Sequence, residues 1–298
     1  TVAITSAAPR RRRRISWAPY LFLAPFLTAF AVFWTWPIVY SLYLSFVNTR
    51  QRPWTFDPGF NWGRLLQDTA FWSALGNTMT ILVFQVPLML ALAVALAMAF
   101  DSDLLRVKGF FRFAFFAPLV LGAVPYSAVF RLIFNADFGI LNYGLGSLGL
   151  PTVRWLFEST PALVTIMIAL TWRWTGYNAI ILLSGLQSIP HTLYEAARID
   201  GANAWQQFWG ITLPLLRPVL LFTFVLSTIG TLQLFTEPFL ITNTGPGGAT
   251  ETLVTYLYKQ GFRNFNFGYA SAIAYTVALI AAGFSLLQIR LVGGRDNG

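Results

Sequence analysis

Along this chain the apolar residues fall in long runs and not in strand-like alternation. Six runs are long enough to be helices crossing a bilayer: Ala18–Phe46, Leu75–Phe100, Phe111–Phe134, Pro161–Leu186, Pro218–Ile241 and Gly268–Val292. A hydrocarbon core about 30 Å thick takes about 20 helical residues. Helices keep their backbone groups paired within one segment, which lipid demands. The pattern predicts an all-α, polytopic membrane protein with about six transmembrane helices. Residues 1–17 form a basic tail, 18–292 the transmembrane domain and 293–298 a short second tail.

One polar stretch interrupts the pattern between the fourth and fifth runs: YEAARIDGANAWQQFWGITLPLLRP, Tyr194 to Pro218. Pro190 ends the fourth helix. Thr192 and Glu195 stand at capping-box spacing, so a short helix starts there. Ala196, Ala197 and Arg198 favour it. Gly201 after Asp200 ends it with a left-handed turn. A second short helix over Ala202–Ile211 places Trp205, Phe208 and Trp209 on one face. Pro214 and Pro218 stop it before the fifth span. The stretch reads as a helix–glycine–helix elbow. By shape alone it suits docking to a soluble partner or lying as an amphipathic pair on the membrane surface.

Composition agrees with the membrane reading. Charged residues make up 10% of the chain, against about a quarter in soluble domains. The net charge of +9 lies between apolar spans and not on a soluble face, which argues against nucleic acid. Twelve Lys and Arg, including Arg10 to Arg14, fall on the side shared by the termini and the elbow; six fall on the other. That bias puts both termini and the elbow in the cytoplasm. The basic tail and Ala29-Phe30-Ala31 mimic a cleavable signal. The apolar run continues through Phe33, Trp34 and Trp36, so the first helix reads as uncleaved. The predicted external loops are aromatic-rich at 47–74, glycine-rich at 135–160, and open on a turn at Thr244-Gly245-Pro246-Gly247-Gly248.

Catalytic chemistry is sparse. With no Cys and a single His, His191, neither a thiolate nor a multi-histidine metal site can be built. No phosphate-binding loop pattern, no Ser/His/Asp set and no paired-carboxylate site occurs. Ionisable residues inside spans are costly and mark polar pathways. Arg173 in the fourth span and Glu237 in the fifth are such residues, open equally to a structural pairing. Arg131, at the outer end of the third, reads as snorkelling. Thr171, Trp174, Tyr177 and Asn178 share a face of the fourth span, Ser227 and Thr231 a face of the fifth, with Gln233 nearby. Small polar residues also serve helix packing.

The elbow closely resembles the EAA loop of binding-protein-dependent ABC importer permeases. That pattern is E-A-A, three residues, G, nine residues, I-x-L-P; Glu195, Ala196, Ala197, Gly201, Ile211, Leu213 and Pro214 fill every fixed position, with Asp200 and Ala202 flanking the glycine. Other stretches resemble the maltose, lactose and glycerol-phosphate branch: Trp36-Pro37 with Ser41 and Ser45-Phe46, Asn77-Thr78, Gly139-Ile140-Leu141-Asn142, and Thr250-Glu251-Thr252-Leu253 with Tyr256-Leu257-Tyr258. Asn243-Thr244 departs from the Thr-Gly-Gly-Pro usual there. The resemblance implies a type I ABC importer permease fold in a bacterial or archaeal cytoplasmic membrane. It implies a non-catalytic subunit importing a sugar or sugar-like solute, with the loop at about 190–218 coupled to a separate ATPase. It also implies a second homologous permease, two cytoplasmic ATPase subunits that bind ATP and Mg, and an extracytoplasmic solute-binding protein. This chain then holds no cofactor and no metal. In the family, residues of the fourth and fifth spans contact sugar, which makes Thr171, Arg173, Trp174, Tyr177, Asn178, Ser227, Thr231, Gln233 and Glu237 the candidate substrate path. The competing readings are an ion-coupled secondary transporter using Arg173 and Glu237, and a non-transporting scaffold.

Overall fold

A computed structural model describes residues 18–102 and 105–293. The basic tail with Arg10 to Arg14, and Arg295, lie outside the described residues. Helices α1 (Ala18–Phe30) and α2 (Trp36–Ser45) join through a π-helical turn, Ala31–Thr35, into one span. Its membrane-crossing window has no buried residue. Side chains such as Phe22, Phe33 and Trp34 stand open along it. A two-residue hairpin follows, β1 (Val47–Asn48) antiparallel to β2 (Thr55–Phe56), and then α3 (Pro58–Gln67). Asp57 caps α3 at the Gly59 amide, and Asp68 caps α4 (Thr69–Asp101) at the Ala70 amide.

The core is α4 against α8 (Ser159–Leu186). Ile81 clusters with Ile166, and Ala93 and Ala97 with Ala179 and Leu182, all fully buried. Lipid tails are as apolar as these side chains, so close packing by small residues holds such helices together, not exclusion from water. At Gly185 an added Cβ would stand 2.9 Å from Leu216 Cδ1 and Val219 Cγ2, so α8 touches the fifth span there almost backbone to side chain. The remaining elements are α5 (Lys108–Val120), α6 (Ala123–Ile133), α7 (Ile140–Ser147), α9 (His191–Ile199), α10 (Ala204–Gln207), α11 (Leu213–Leu232), α12 (Thr236–Leu240), α13 (Leu253–Tyr258) and α14 (Phe267–Gly293).

Among the described residues five helices are long and apolar enough to cross a membrane, or six when the bent pair α5–α6 counts as one. That pair corrects the expectation of a single helix over Phe111–Phe134: α5 and α6 meet at 99°. Leu121 and Gly122 are extended, and Pro125 enters in the first turn of α6, where its missing N–H costs nothing. Leu121 and Gly122 are apolar, so hydropathy conceals the break.

The fifth run differs as well. Pro214 and Pro218 do not end the elbow's second helix. α10 passes through a π-helical turn, Phe208–Thr212, straight into α11. The wider turn lets Leu213 N–H reach Phe208 O and leaves Pro214 at the start of the next α-helical segment, which suits it. Helix α11 stops at Leu232, and the short α12 carries the same span to Leu240. The capping box also moves. α9 begins at His191 behind Pro190 with no side-chain cap, so Thr192 is already inside the helix. The reciprocal cap is Asn203 with Gln206, at the start of α10.

Candidate functional site

Gly201 turns the elbow with φ +80°. Neither α9 nor α10 has a buried residue. Glu195, Ala196, Asp200 and Pro214 are exposed; Ala197, Ala202, Ile211 and Leu213 are half-buried. Ile199 is 86% exposed and Trp205 69%, which gives the elbow an apolar tip. Trp205, Phe208 and Trp209 pack edge to face and tilted with centroids 5.3–6.2 Å apart, as their spacing suggested. Behind them Tyr194, Phe208 and Ile211 lean on a cluster built from Phe100, Leu186, Ile189 and Leu216. The elbow is thus a protrusion footed on the spans it joins.

Between α4, α8, α11 and α12 lies a cavity of about 410 Å³. Arg173, Trp174, Tyr177 and Asn178 line it from α8, and Ser227 and Thr231 from α11. Gln233 and Glu237 close it from the break that follows. Thr171 does not reach it; its hydroxyl is turned to Met167 O at 2.7 Å. Gln85, 2% exposed on α4, also lines the cavity and was missed. Its signal is a lone amide inside a long apolar run.

Arg173 makes one hydrogen bond to protein, while its Nε and Nη1 are buried without a partner among the described residues. Its Nη2 donates to Leu121 O at 3.3 Å, and its guanidinium carbon lies 4.6 Å from the Tyr126 ring centroid. Glu237 is 4% exposed and makes no ion pair with Arg173. Trp174 and Tyr177 meet edge to face at 5.8 Å, offering aromatic surface beside the amides of Gln85 and Asn178. Arg131 sits exposed in the last turn of α6. The arrangement gives aromatic faces and hydrogen-bonding groups without nucleophile or acid–base pair, and a volume within the roughly 300–1,000 Å³ range of small-molecule sites.

At the other end, Asp68 accepts hydrogen bonds from Tyr256 and Tyr269. Burial pushes its carboxyl up, but these two bonds and the amides of Ala70 and Phe71 outweigh that and hold it below its ordinary value. The Tyr256 hydroxyl is pushed up to about 12 by burial and by donating to Asp68. The Thr244–Gly248 turn and the residues after it fold inward. Thr250 and Thr252 are fully buried, Thr252 Oγ1 donates to Leu234 O at 2.7 Å, and Asn77 Nδ2 donates to Gly248 O and Glu251 O at 3.0 Å.

A bundle of membrane helices with a protruding elbow and a polar cavity between the spans it joins is the architecture of a transport permease. Residues 59–292 match the family described as binding-protein-dependent transport system inner membrane component. A lactose transport system permease protein of Rhizobium radiobacter is 42% identical over 274 residues, 90% of this chain and 92% of its own length. An arabinooligosaccharides transport system permease protein of Bacillus subtilis is 34% identical over 278 residues, 93% of this chain and 88% of its own. In structure, a bacterial ABC transporter involved in the import of the acidic polysaccharide alginate superposes with TM-score 0.83 over 94% of this chain and 96% of its own, at 21% identity, a likeness of fold. The chain belongs to the binding-protein-dependent inner membrane transport family, and is a permease subunit of an ABC importer.

Proposed function

We propose that this chain translocates a sugar or sugar-like solute and that the elbow at 190–218 receives the work of a separate ATPase. Partners in this reading are a second homologous permease in a heterodimer, two cytoplasmic ATPase subunits binding ATP and Mg, and an extracytoplasmic solute-binding protein. The membrane is a bacterial or archaeal cytoplasmic membrane with both termini inside. The chain itself carries no cofactor or metal. One observation carries the reading: the complete E-A-A…G…I-x-L-P pattern lies on an exposed elbow joining the two spans that line the cavity. The relatives' names support a sugar, since they specify lactose and arabinooligosaccharides. The cavity supports it too, because aromatic faces beside amides and hydroxyls match a polyol.

Gly201 tests it. A β-branched residue resists its positive φ. Gly201→Val or Glu195→Lys in the assembled complex is expected to abolish most uptake and the stimulated ATP hydrolysis. Retained coupling refutes docking at the elbow. Cysteine crosslinks from Ala197 or Ala202 should reach the nucleotide-hydrolysing subunit.

A further inference from the structure

The elbow is closed on itself by a ring of polar contacts that the shared loop pattern does not include. Ala202 N–H donates to Ala197 O at 2.8 Å, joining the turn to α9. Gln207 Nε2 donates back to Ala202 O at 2.9 Å, joining α10 to the turn. Thr212 Oγ1 points to Gln207 O at 3.5 Å, the long limit for such a bond, across the π-helical turn. Tyr194 OH stands 2.9 Å from Thr212 Oγ1 and returns the ring to α9, one turn before Ala197. Either hydroxyl can serve as the donor in this contact. Thr212 is 5% exposed and Tyr194 is half-buried, so this last contact is shielded from water, where a hydrogen bond is stronger. Thr212 is also the last residue of the π-helical turn and the residue directly before α11.

We propose that Tyr194, Thr212 and Gln207 are positioning residues that brace the elbow into a rigid triangle, so that a push on its exposed tip reaches α11 undiminished. The proposal rests on the elbow's docking an ATPase. Without the Tyr194–Thr212 strut, the hydrogen bonds linking α9 to α10 are those of the glycine turn, and the rest of the link is apolar packing on the shared core. A load on the tip would then flex the turn before moving the spans.

The test uses the assembled transporter in proteoliposomes. Tyr194→Phe and Thr212→Val each remove one hydroxyl; Thr212→Ser keeps it. Solute moved per ATP hydrolysed should fall by roughly fivefold in the first two, the scale of one lost internal hydrogen bond, and return in Thr212→Ser. The chain has no Cys, so spin labels at Leu193→Cys and Ala204→Cys are unique in it. Their distance distribution should broaden in Tyr194→Phe. An unchanged transport ratio with an unchanged distribution overturns the brace, as does an equal loss in Tyr194→Phe and Thr212→Ser. If Gly201→Val uncouples while Tyr194→Phe does not, docking at the elbow stands and the brace alone falls.

Discussion

The two polar segments that flank the fifth span are built in opposite ways. At the outer one, residues 233–267, polar groups turn inward: Thr250 and Thr252 are fully buried, Gln260 is 6% exposed and donates to Tyr256 OH at 2.9 Å, and Glu251 pairs with Lys259 at 3.1 Å. At the elbow, side-chain hydrogen bonds run within the loop itself, and Ile199 and Trp205 stand exposed beside exposed Glu195 and Asp200. One end spends its hydrogen bonds on holding the fold shut. The other leaves a sticky, self-contained knob. If the elbow docks an ATPase as proposed, stability and coupling are written into different ends of the same helix.

Substitutions can break or sharpen that contrast. The largest effect belongs to Gly268, where a Cβ would lie 2.4 Å from Val47 O and 2.9 Å from Leu44 O. Gly268→Ala wedges α14 from the hairpin and should cost about 3 kcal/mol, read as a lowered unfolding temperature of the detergent-solubilised complex. Thr252→Val strands Leu234 O and should cost about 1–3 kcal/mol. Its mirror at the elbow, Ile199→Ser, should stay within about 0.5 kcal/mol of the parent yet lower uptake. A large stability loss from Ile199→Ser would erase the distinction. Smallest is the acid response of Asp68. Its carboxyl is held below its ordinary value in the folded chain. The stability it contributes is therefore present above that ordinary value and lost as pH falls through the lowered one. Asp68→Asn should be less stable near neutrality and flatter on acidification, measured as unfolding temperature against pH.

Much of this was legible in the residues. Five of the six spans follow from run length, because lipid leaves an apolar chain little choice but helix. Gly201 marks its turn because few other residues take φ +80°. Eight of the nine residues singled out in the fourth and fifth spans line one cavity; 3.6-residue periodicity accounts for Trp174, Tyr177 and Asn178 and for Ser227 and Thr231, whereas Gln233 and Glu237 arrive through the break after α11. Other features left no local signal. The break at Leu121–Gly122 is spelled in apolar letters. The π-helical turn at Phe208–Thr212 is a choice of hydrogen-bond partner, not of side-chain type. Pro214 therefore looked like a stop and is instead a start. Thr171 missed the cavity because its hydroxyl found Met167 O, one turn back in its own helix. Tyr194 and Thr212 meet only because the elbow folds, and residues 18 apart show no periodicity.

The bare contact at Gly185 has a consequence for the sense of motion. Asn178, on the cavity wall, lies seven residues before it, about 10 Å along a helix, and the elbow begins a comparable distance beyond, at His191. With side chains of α11 pressed against it, Gly185 is, in the function proposed above, the point on which the two arms pivot. Two uncrossed arms bearing on one another in this way work as a clothes-peg does: drawing them together at one end parts them at the other.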